Sequence, residues 1–157
     1  MRILGIDPGY GTVGFGLVDC VKGKITYVDH GAILTPAKAP FEERLCQIYD
    51  DIGHIIDNYK PDVAVLEELY FSKNITTGIK VAQARGVLLL QAKQKGLACC
   101  EYGPMQVKQA VVGYGKAEKI QVMKMVKLLL GLSAIPRPDD AADALALALC
   151  HAQIARV

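Results

Sequence analysis

An acidic residue closes the first apolar segment of the chain. Residues 2–6 form a short apolar run that predicts a buried β-strand, and Asp7 follows it directly. Pro8 fixes φ and Gly9 permits positive φ, so a sharp turn is expected just after the acid. Because a carboxylate at the end of a buried strand is costly unless a cation meets it, this strand end predicts a charged site.

The segments after this turn predict an α/β fold built on a mixed, five-stranded sheet. Residues 12–19 and 25–34 have strand patterns, and they are expected to form an antiparallel meander with the first strand. Residues 41–59 carry apolar side chains at helical spacing, and a buried, β-branched strand follows at 62–66. A strand, a helix and a strand in this order indicate a crossover to a parallel strand beside the first.

The rest of the chain supplies one further strand and four helices that flank the sheet. The strand is predicted at residues 97–102, and the helices at 77–95, 104–112, 117–130 and 139–155. The helix at 77–95 is apolar on more than one face, which indicates a second neighbour besides its own sheet. No internal repeat or linker interrupts the pattern, so residues 1–157 are expected to form a single domain.

Composition limits the class of protein. A hydrophobic share of 52% with 22% charged residues predicts a packed core and excludes disorder. The net charge of +2 does not by itself indicate a nucleic-acid binder. The five cysteines lack metal-site spacing and are predicted to be free, buried thiols. With no signal peptide and no apolar run long enough for a membrane span, a cytoplasmic location is expected.

Acidic residues at two further places are candidates for the site at Asp7. The strand at 62–66 ends on Glu67 and Glu68. Because the carboxyl ends of neighbouring parallel strands meet at one edge of a sheet, one of these acids is expected beside Asp7. On the last helix Asp143 shares a face with Asp140, three residues away, and with Asp139, four residues away. Spacing alone leaves the choice within each pair open.

Two explanations compete for these acids. The first is structural: acids favour helix N-termini, and glutamates commonly stand where a strand reaches the surface. It does not account for Asp143, which lies one turn into a helix of Ala and Leu. The second is a metal site, because clustered carboxylates repel one another unless cations hold them. Oxygen ligands without His or Cys favour Mg²⁺ or Mn²⁺, and two such ions about 4 Å apart clamp an in-line displacement at phosphorus.

The whole pattern resembles the RuvC family of Holliday-junction resolvases, which have the ribonuclease H-like fold. The resemblance extends over nearly the whole chain, and its motifs are specific only when taken together. They are residues 3–9, 66–74, 82–86, 106–113 with 115–119, and 139–146.

The resemblance implies a catalytic set and a cofactor. The family's catalytic acids match Asp7, Glu67, Asp140 and Asp143, which selects Glu67 over Glu68 and Asp140 over Asp139. These four would bind two Mg²⁺ ions per subunit, with Mn²⁺ able to substitute. The implied reaction is phosphodiester hydrolysis that resolves four-way DNA junctions in recombination and repair, and leaves a 5′ phosphate and a 3′ hydroxyl.

The resemblance also implies contacts and partners. Family basic residues near the scissile phosphate match Lys108 and Lys119, and an aromatic used at the junction matches Tyr70, where phenylalanine is common. Once the site is accepted, Lys73 and Lys116 are also expected to contact DNA, because they lie near loops and helix starts. The family works as a homodimer, which would give the apolar helix at 77–95 its second neighbour; burial of the helix within one subunit is the alternative. Association with the RuvA and RuvB branch-migration complex is implied as well.

Three rival functions share parts of this pattern. The glycine-rich start resembles the phosphate loop of actin-like ATPases and sugar kinases, but that class normally needs two such domains. A non-catalytic nucleic-acid module on the same fold would be favoured by loss of any of the four acids, and all four are present. A relative that cuts different DNA or RNA would keep the acids, so only the remainder of the chain favours four-way junctions.

Overall fold

A computed structural model contains the predicted mixed sheet and describes residues 1–69 and 75–155. The strand order is β3-β2-β1-β4-β5. The strands β1, β2 and β3 form the antiparallel meander, while β4 pairs in parallel with both β1 and β5. Their bounds are β1 Arg2–Asp7, β2 Thr12–Val21, β3 Lys24–Leu34, β4 Val63–Glu67 and β5 Ala98–Tyr102.

Helices cover both faces of this sheet. Their bounds are α1 Phe41–Tyr59, α2 Ile75–Gln94, α3 Pro104–Val112, α4 Lys119–Leu130 and α5 Asp139–Ala155. The helices α1 and α2 bury a core on one face around Leu4, Ile52 and Leu88. The helices α3, α4 and α5 bury a second core on the other face, where α5 crosses β1 and β2. The crossover predicted from β1 through α1 to β4 is therefore confirmed.

Small boundary differences have local causes. The helix predicted from residue 117 begins instead at Lys119, because Glu118 has extended backbone angles and caps it. The side chain of Gln121 accepts a hydrogen bond from the Glu118 N–H at 2.7 Å, which stabilises this start. Asp7 and Glu67, the acids predicted to close their strands, are the last residues of β1 and β4.

The prediction of buried thiols is wrong in part. All five cysteines are free, and Cys20 and Cys150 are buried as expected, whereas Cys46 and Cys99 are exposed. Cys46 lies on the solvent side of α1. Cys99 belongs to β5, an edge strand whose side chains are poorly covered. Within the described ranges, no helix has the length and apolar character needed to cross a bilayer.

The apolar helix α2 has one buried face and one uncovered face. Ala84, Leu88 and Ala92 pack into the core. Ile79 and Leu90 remain 49% and 53% exposed, although both are large apolar side chains. The described part of this chain therefore supplies one of the two neighbours that the sequence predicts for this helix.

Candidate active site

The four predicted acids gather at one edge of the sheet. Asp7 ends β1 and Glu67 ends β4, and the parallel register that pairs Ile6 with Leu66 brings these two strand ends together. Asp140 and Asp143 lie in the first turns of α5, above the same edge. One carboxylate oxygen from each of Asp7, Asp140 and Asp143 lies within 4.8 Å of the others. The fold thus unites acids that are more than 130 residues apart in the sequence.

Glycines on two strands let α5 come close enough to deliver its acids. A Cβ atom on Gly5 would lie 1.9 Å from the carbonyl oxygen of Ala144. A Cβ atom on Gly14 would lie 2.1 Å from the carbonyl oxygen of Asp140. Any larger residue at either position would push the helix away from the sheet. At both glycines the approaching backbone is that of α5.

The acids open into a cleft of about 250 Å³. Its walls come from β1, β4, α3, α4 and α5, so it lies on the α5 side of the sheet. The residues that line it are Asp7, Glu67, Pro104, Val107, Lys108, Lys119, Val122, Asp143, Ala146 and Leu147. Acidic and basic groups therefore share a cleft whose remaining walls are apolar, which strengthens the electrostatic interactions inside it.

Burial and mutual repulsion make the carboxylates hard to ionise in the absence of a cation. Burial, the charge of Asp143 and a hydrogen bond shared with Asp140 raise the pKa of Asp7 to about 8. Burial and the charge of Asp143 also raise the pKa of Glu67. The pKa of Asp143 is raised by burial, although Lys119 opposes the shift. This cluster has too little positive charge nearby to hold all its carboxylates ionised.

Two of the predicted basic residues lie in the cleft. Lys119, at the start of α4, places its Nζ 3.3 Å from Oδ2 of Asp143. Lys108, on α3, lines the same cleft and lowers the pKa of Glu67 against the effect of burial.

Lys116 is exposed in the connection between α3 and α4. Tyr70 and Lys73, the other two predicted DNA contacts, lie outside the described residues.

Arg85, for which the sequence indicated no specific role, holds the backbone at Glu67 in place. Arg85 of α2 is largely buried, and its guanidinium forms an ion pair with Glu101 on β5 at 2.5 Å. The same nitrogen donates to the backbone carbonyl of Glu67 at 3.4 Å. The guanidinium therefore ties the ends of β4 and β5 to α2. The sequence contained this arginine in one of its motifs, but the contact joins residues 16 and 18 positions apart and follows no local pattern.

The donor set fits a hard divalent cation. The clustered ligands are carboxylate oxygens. The raised pKa values of Asp7 and Asp143 show that their ionised forms are disfavoured here, and a bound cation would stabilise those forms. Asp7, Asp140 and Asp143 have the spacing to bind one ion together, and Glu67 lines the same cleft. The geometry thus supports metal-assisted chemistry at a substrate that Lys108 and Lys119 can attract.

Comparison with known proteins identifies relatives over nearly the full chain. The sequence profile of the family described as crossover junction endodeoxyribonuclease RuvC matches residues 3–151. A RuvC crossover junction endodeoxyribonuclease from Chloroflexus aurantiacus is 54% identical over 155 residues, which cover 99% of this chain and 94% of the relative. One from Thermotoga maritima is 49% identical over 152 residues, covering 97% of this chain and 90% of the relative.

Solved structures agree with the sequence matches. RuvC from Thermus thermophilus, solved in complex with a Holliday junction substrate, is 38% identical with a TM-score of 0.93, covering 99% of this chain and 95% of that one. The yeast mitochondrial Holliday junction resolvase Ydc2 is only 14% identical, with a TM-score of 0.68 over 96% of this chain and 77% of that one, so it supports the fold alone. The predicted ribonuclease H-like fold is confirmed, and this chain belongs to the RuvC family of crossover junction endodeoxyribonucleases.

Proposed function

We propose that this protein is an endonuclease that resolves four-way DNA junctions during homologous recombination and DNA repair. The observation that carries the proposal is the cleft in which Asp7, Glu67 and Asp143 meet two lysines, with Asp140 clustered beside two of these acids. Membership in the RuvC family supports the choice of four-way junctions over other nucleic acids. We assign the activity to residues 1–157 as a single nuclease domain.

The acids are proposed to hold Mg²⁺, with two ions per subunit and Mn²⁺ as a substitute. Asp7, Asp140 and Asp143 would hold one ion, and Glu67 would complete the second position with Asp7. Bound divalent cations supply an activated water and stabilise the leaving 3′ oxygen of a phosphodiester. The products would carry a 5′ phosphate and a 3′ hydroxyl.

The lysines are proposed to orient the scissile phosphate. Lys119 lies beside Asp143. Burial lowers the pKa of this lysine, but its hydrogen bond to Asp143 and the charges of Asp143, Asp139 and Asp7 together raise it, so the lysine is positively charged. Lys108 faces Glu67 from α3. A phosphate between these lysines and the acids would be held by charge and kept in a cleft with apolar walls. Tyr70, Lys73 and Lys116 stay predicted DNA contacts.

The protein is proposed to act as a homodimer through α2. The uncovered face of this helix carries Ile79 and Leu90, and also Gly86, whose added Cβ would meet nothing within 4 Å in this chain. A second copy packed on this face would bury these apolar groups and bring two clefts onto one junction. Leu90→Glu should give monomers in analytical ultracentrifugation, with Leu128→Glu, at a 71% exposed leucine of α4, as the control. A dimer that survives Leu90→Glu would contradict this interface.

RuvA and RuvB association and a cytoplasmic location stay predictions.

The function is tested by cleavage of a branch-migratable four-way DNA junction. The parent protein should make paired, symmetric nicks in Mg²⁺ and none in EDTA. Asp7→Asn and Glu67→Gln should bind the junction and fail to cut it. Binding without cleavage by the parent in Mg²⁺ and in Mn²⁺ would instead indicate a non-catalytic module. Equal binding of junction and linear duplex would contradict the resolvase assignment.

A further inference from the structure

We propose that a cluster of two aromatic rings and two cations forms a second phosphate-binding site for the DNA. The members are Tyr10, Phe41, Arg44 and Lys80, called the aromatic–cation cluster below. It would bind phosphodiester groups that flank the scissile one, on the opposite face of the sheet from Lys108 and Lys119. The inference rests on the proposed function, because it names a further contact to the same substrate.

The two cations of the cluster lie against one pair of rings. The rings of Tyr10 and Phe41 meet edge to face, with centroids 5.8 Å apart and an interplanar angle of 74°. The Cζ of Arg44 is 5.1 Å from the Tyr10 centroid. The Nζ of Lys80 is 5.6 Å from the Tyr10 centroid and 5.7 Å from the Phe41 centroid. Three separate segments thus bring two positive charges to one small surface.

These charges lack an acidic counterpart. Across residues 1–69 and 75–155, neither Arg44 nor Lys80 forms an ion pair with a carboxylate. The aromatic faces attract both cations and restrict their motion, but they leave the net charge of the pair unchanged. Two like charges beside one ring repel each other, so an anion that contacts both would stabilise the arrangement. Lys80 is exposed and therefore reachable by such an anion.

Hydrogen bonds fix the arginine of the cluster in place. Its Nε donates to Oγ1 of Thr35 at 2.9 Å, and Thr35 is only 8% exposed. The Thr35 hydroxyl donates in turn to the carbonyl of Tyr10, and the Thr35 N–H donates to that of Gly11 at 3.0 Å. Within the described part of the chain, the terminal guanidinium nitrogens of Arg44 have no hydrogen-bond acceptor. Because the Nε of Arg44 is held by Thr35, its two terminal guanidinium nitrogens are positioned for a bidentate contact with a phosphate.

The position of the cluster relates it to the cleavage site. Tyr10 lies three residues after Asp7, in the turn between β1 and β2. Lys80 belongs to α2, the helix that follows the strand ending on Glu67. Tyr10 packs against the core beneath α1 and α2, whereas Lys108 and Lys119 come from α3 and α4 on the other face. A DNA strand that crosses this edge at the acids would meet cations on both sides of the sheet, which makes its phosphates the anion that fits the cluster.

The test measures junction binding by cluster variants. Lys80→Gln and Arg44→Gln, each in an Asp7→Asn background that prevents cleavage, are titrated with a labelled four-way junction at several salt concentrations. Each substitution should weaken binding by roughly three- to tenfold and lower the slope of log Kd against log salt by about 1, because one phosphate contact is lost. The matched control is Lys24→Gln, which removes an exposed charge at the start of β3, at the Arg2 end of the sheet, and should leave both quantities unchanged.

The outcomes separate this inference from the proposed function. If the parent protein binds and cuts the junction, but the cluster variants match Lys24→Gln in Kd and salt slope, the second site is disproved and the resolvase assignment stands. If the parent protein shows no junction preference, the proposed function fails and the inference fails with it. Lys80→Gln decides the question if Arg44→Gln unfolds, because the Lys80 side chain makes no hydrogen bond within the described residues.

Discussion

The acidic side chains at the two ends of β1 have opposite electrostatic environments. At its start, the guanidinium of Arg2 contacts both oxygens of Asp19 at 2.8 and 3.0 Å and donates to the carbonyl of Tyr59 at 2.9 Å. The hydrogen bond and the charge of Arg2 hold the pKa of Asp19 below its usual range. At the other end, Asp7 faces further carboxylates, and burial together with Asp143 raises its pKa to about 8.

Within this six-residue strand, the Arg2 end contributes to stability and the Asp7 end belongs to the candidate active site. At the Arg2 end, the charges of Arg2 and Asp19 neutralise each other, so this ion pair stabilises the fold without a bound ion. The Asp7 end is balanced only when cations are added, so the metal-free fold carries an unfavourable cluster of acids. Sites with strongly perturbed carboxylates tend to be functional for this reason.

Replacing the acid at the cleft end should remove catalysis. Asp7→Asn keeps the size of the side chain but removes the charge of a proposed metal ligand, so single-turnover cleavage of a four-way junction in Mg²⁺ should fall by about a thousandfold or more. Asp19→Asn is the matched control at the opposite end of the same sheet, and its cleavage rate should equal that of the parent. Substantial cleavage by Asp7→Asn would show that this acid is not a metal ligand.

Removing the lysine of the cleft should have a smaller effect. Lys119→Ala deletes the cation 3.3 Å from Asp143 and a proposed phosphate contact, so cleavage should slow by roughly ten- to a hundredfold. Lys124→Ala, an exposed lysine on the same helix, is the control and should retain most of the activity. Equal losses in the two variants would mean that α4 contributes only general positive charge.

The stability of the metal-free protein should fall as the pH rises. The folded state holds the Asp7 proton up to a pKa of about 8, whereas the unfolded chain releases it near 3.8. Between these values the folded state binds more protons, so the free energy of unfolding should drop by up to about 1.4 kcal/mol per pH unit. Urea unfolding in EDTA from pH 5 to 9 measures this slope.

Two additions to the same titration identify its origin. Asp7→Asn should flatten the slope and make the metal-free protein more stable than the parent above pH 8, because the buried charge is gone. Mg²⁺ should stabilise the parent more as the pH rises, since the ion replaces the proton. A slope that Asp7→Asn leaves unaltered would place the titrating group elsewhere.

The balanced end of β1 should show the smallest effect, with the opposite dependence on pH. Asp19→Asn should lower the free energy of unfolding by about 1 kcal/mol near neutral pH, because a bidentate but partly exposed ion pair is lost. Since the pKa of Asp19 is lowered in the folded state, the difference between parent and variant should vanish as the pH falls through that pKa. Differential unfolding at pH 7 and pH 3 checks both statements.

Much of the site could be predicted because the carboxyl ends of neighbouring parallel strands meet at one edge of a sheet. Asp7 and Glu67 close two apolar runs that had to be parallel neighbours, and the register of β1 and β4 brings them together as expected. The proximity of α5 could be inferred only as a possibility, since it depends on Gly14 meeting the backbone of Asp140 across the fold. The choice of Asp140 over Asp139 came from the family resemblance, and the structure places Asp140 in the carboxylate cluster while Asp139 pairs with Arg137.

The sequence by itself determined the order of strands and helices and the acids that close two of the strands, because periodicity and turn residues act locally. Only the tertiary structure decided the contacts that give those acids their environment. Arg85 reaches the Glu67 carbonyl, and Arg44 and Lys80 converge on Tyr10, through contacts between segments separated by 18 to 70 positions. Such contacts depend on how helices pack across the sheet, and packing is a property of the whole core rather than of any one segment.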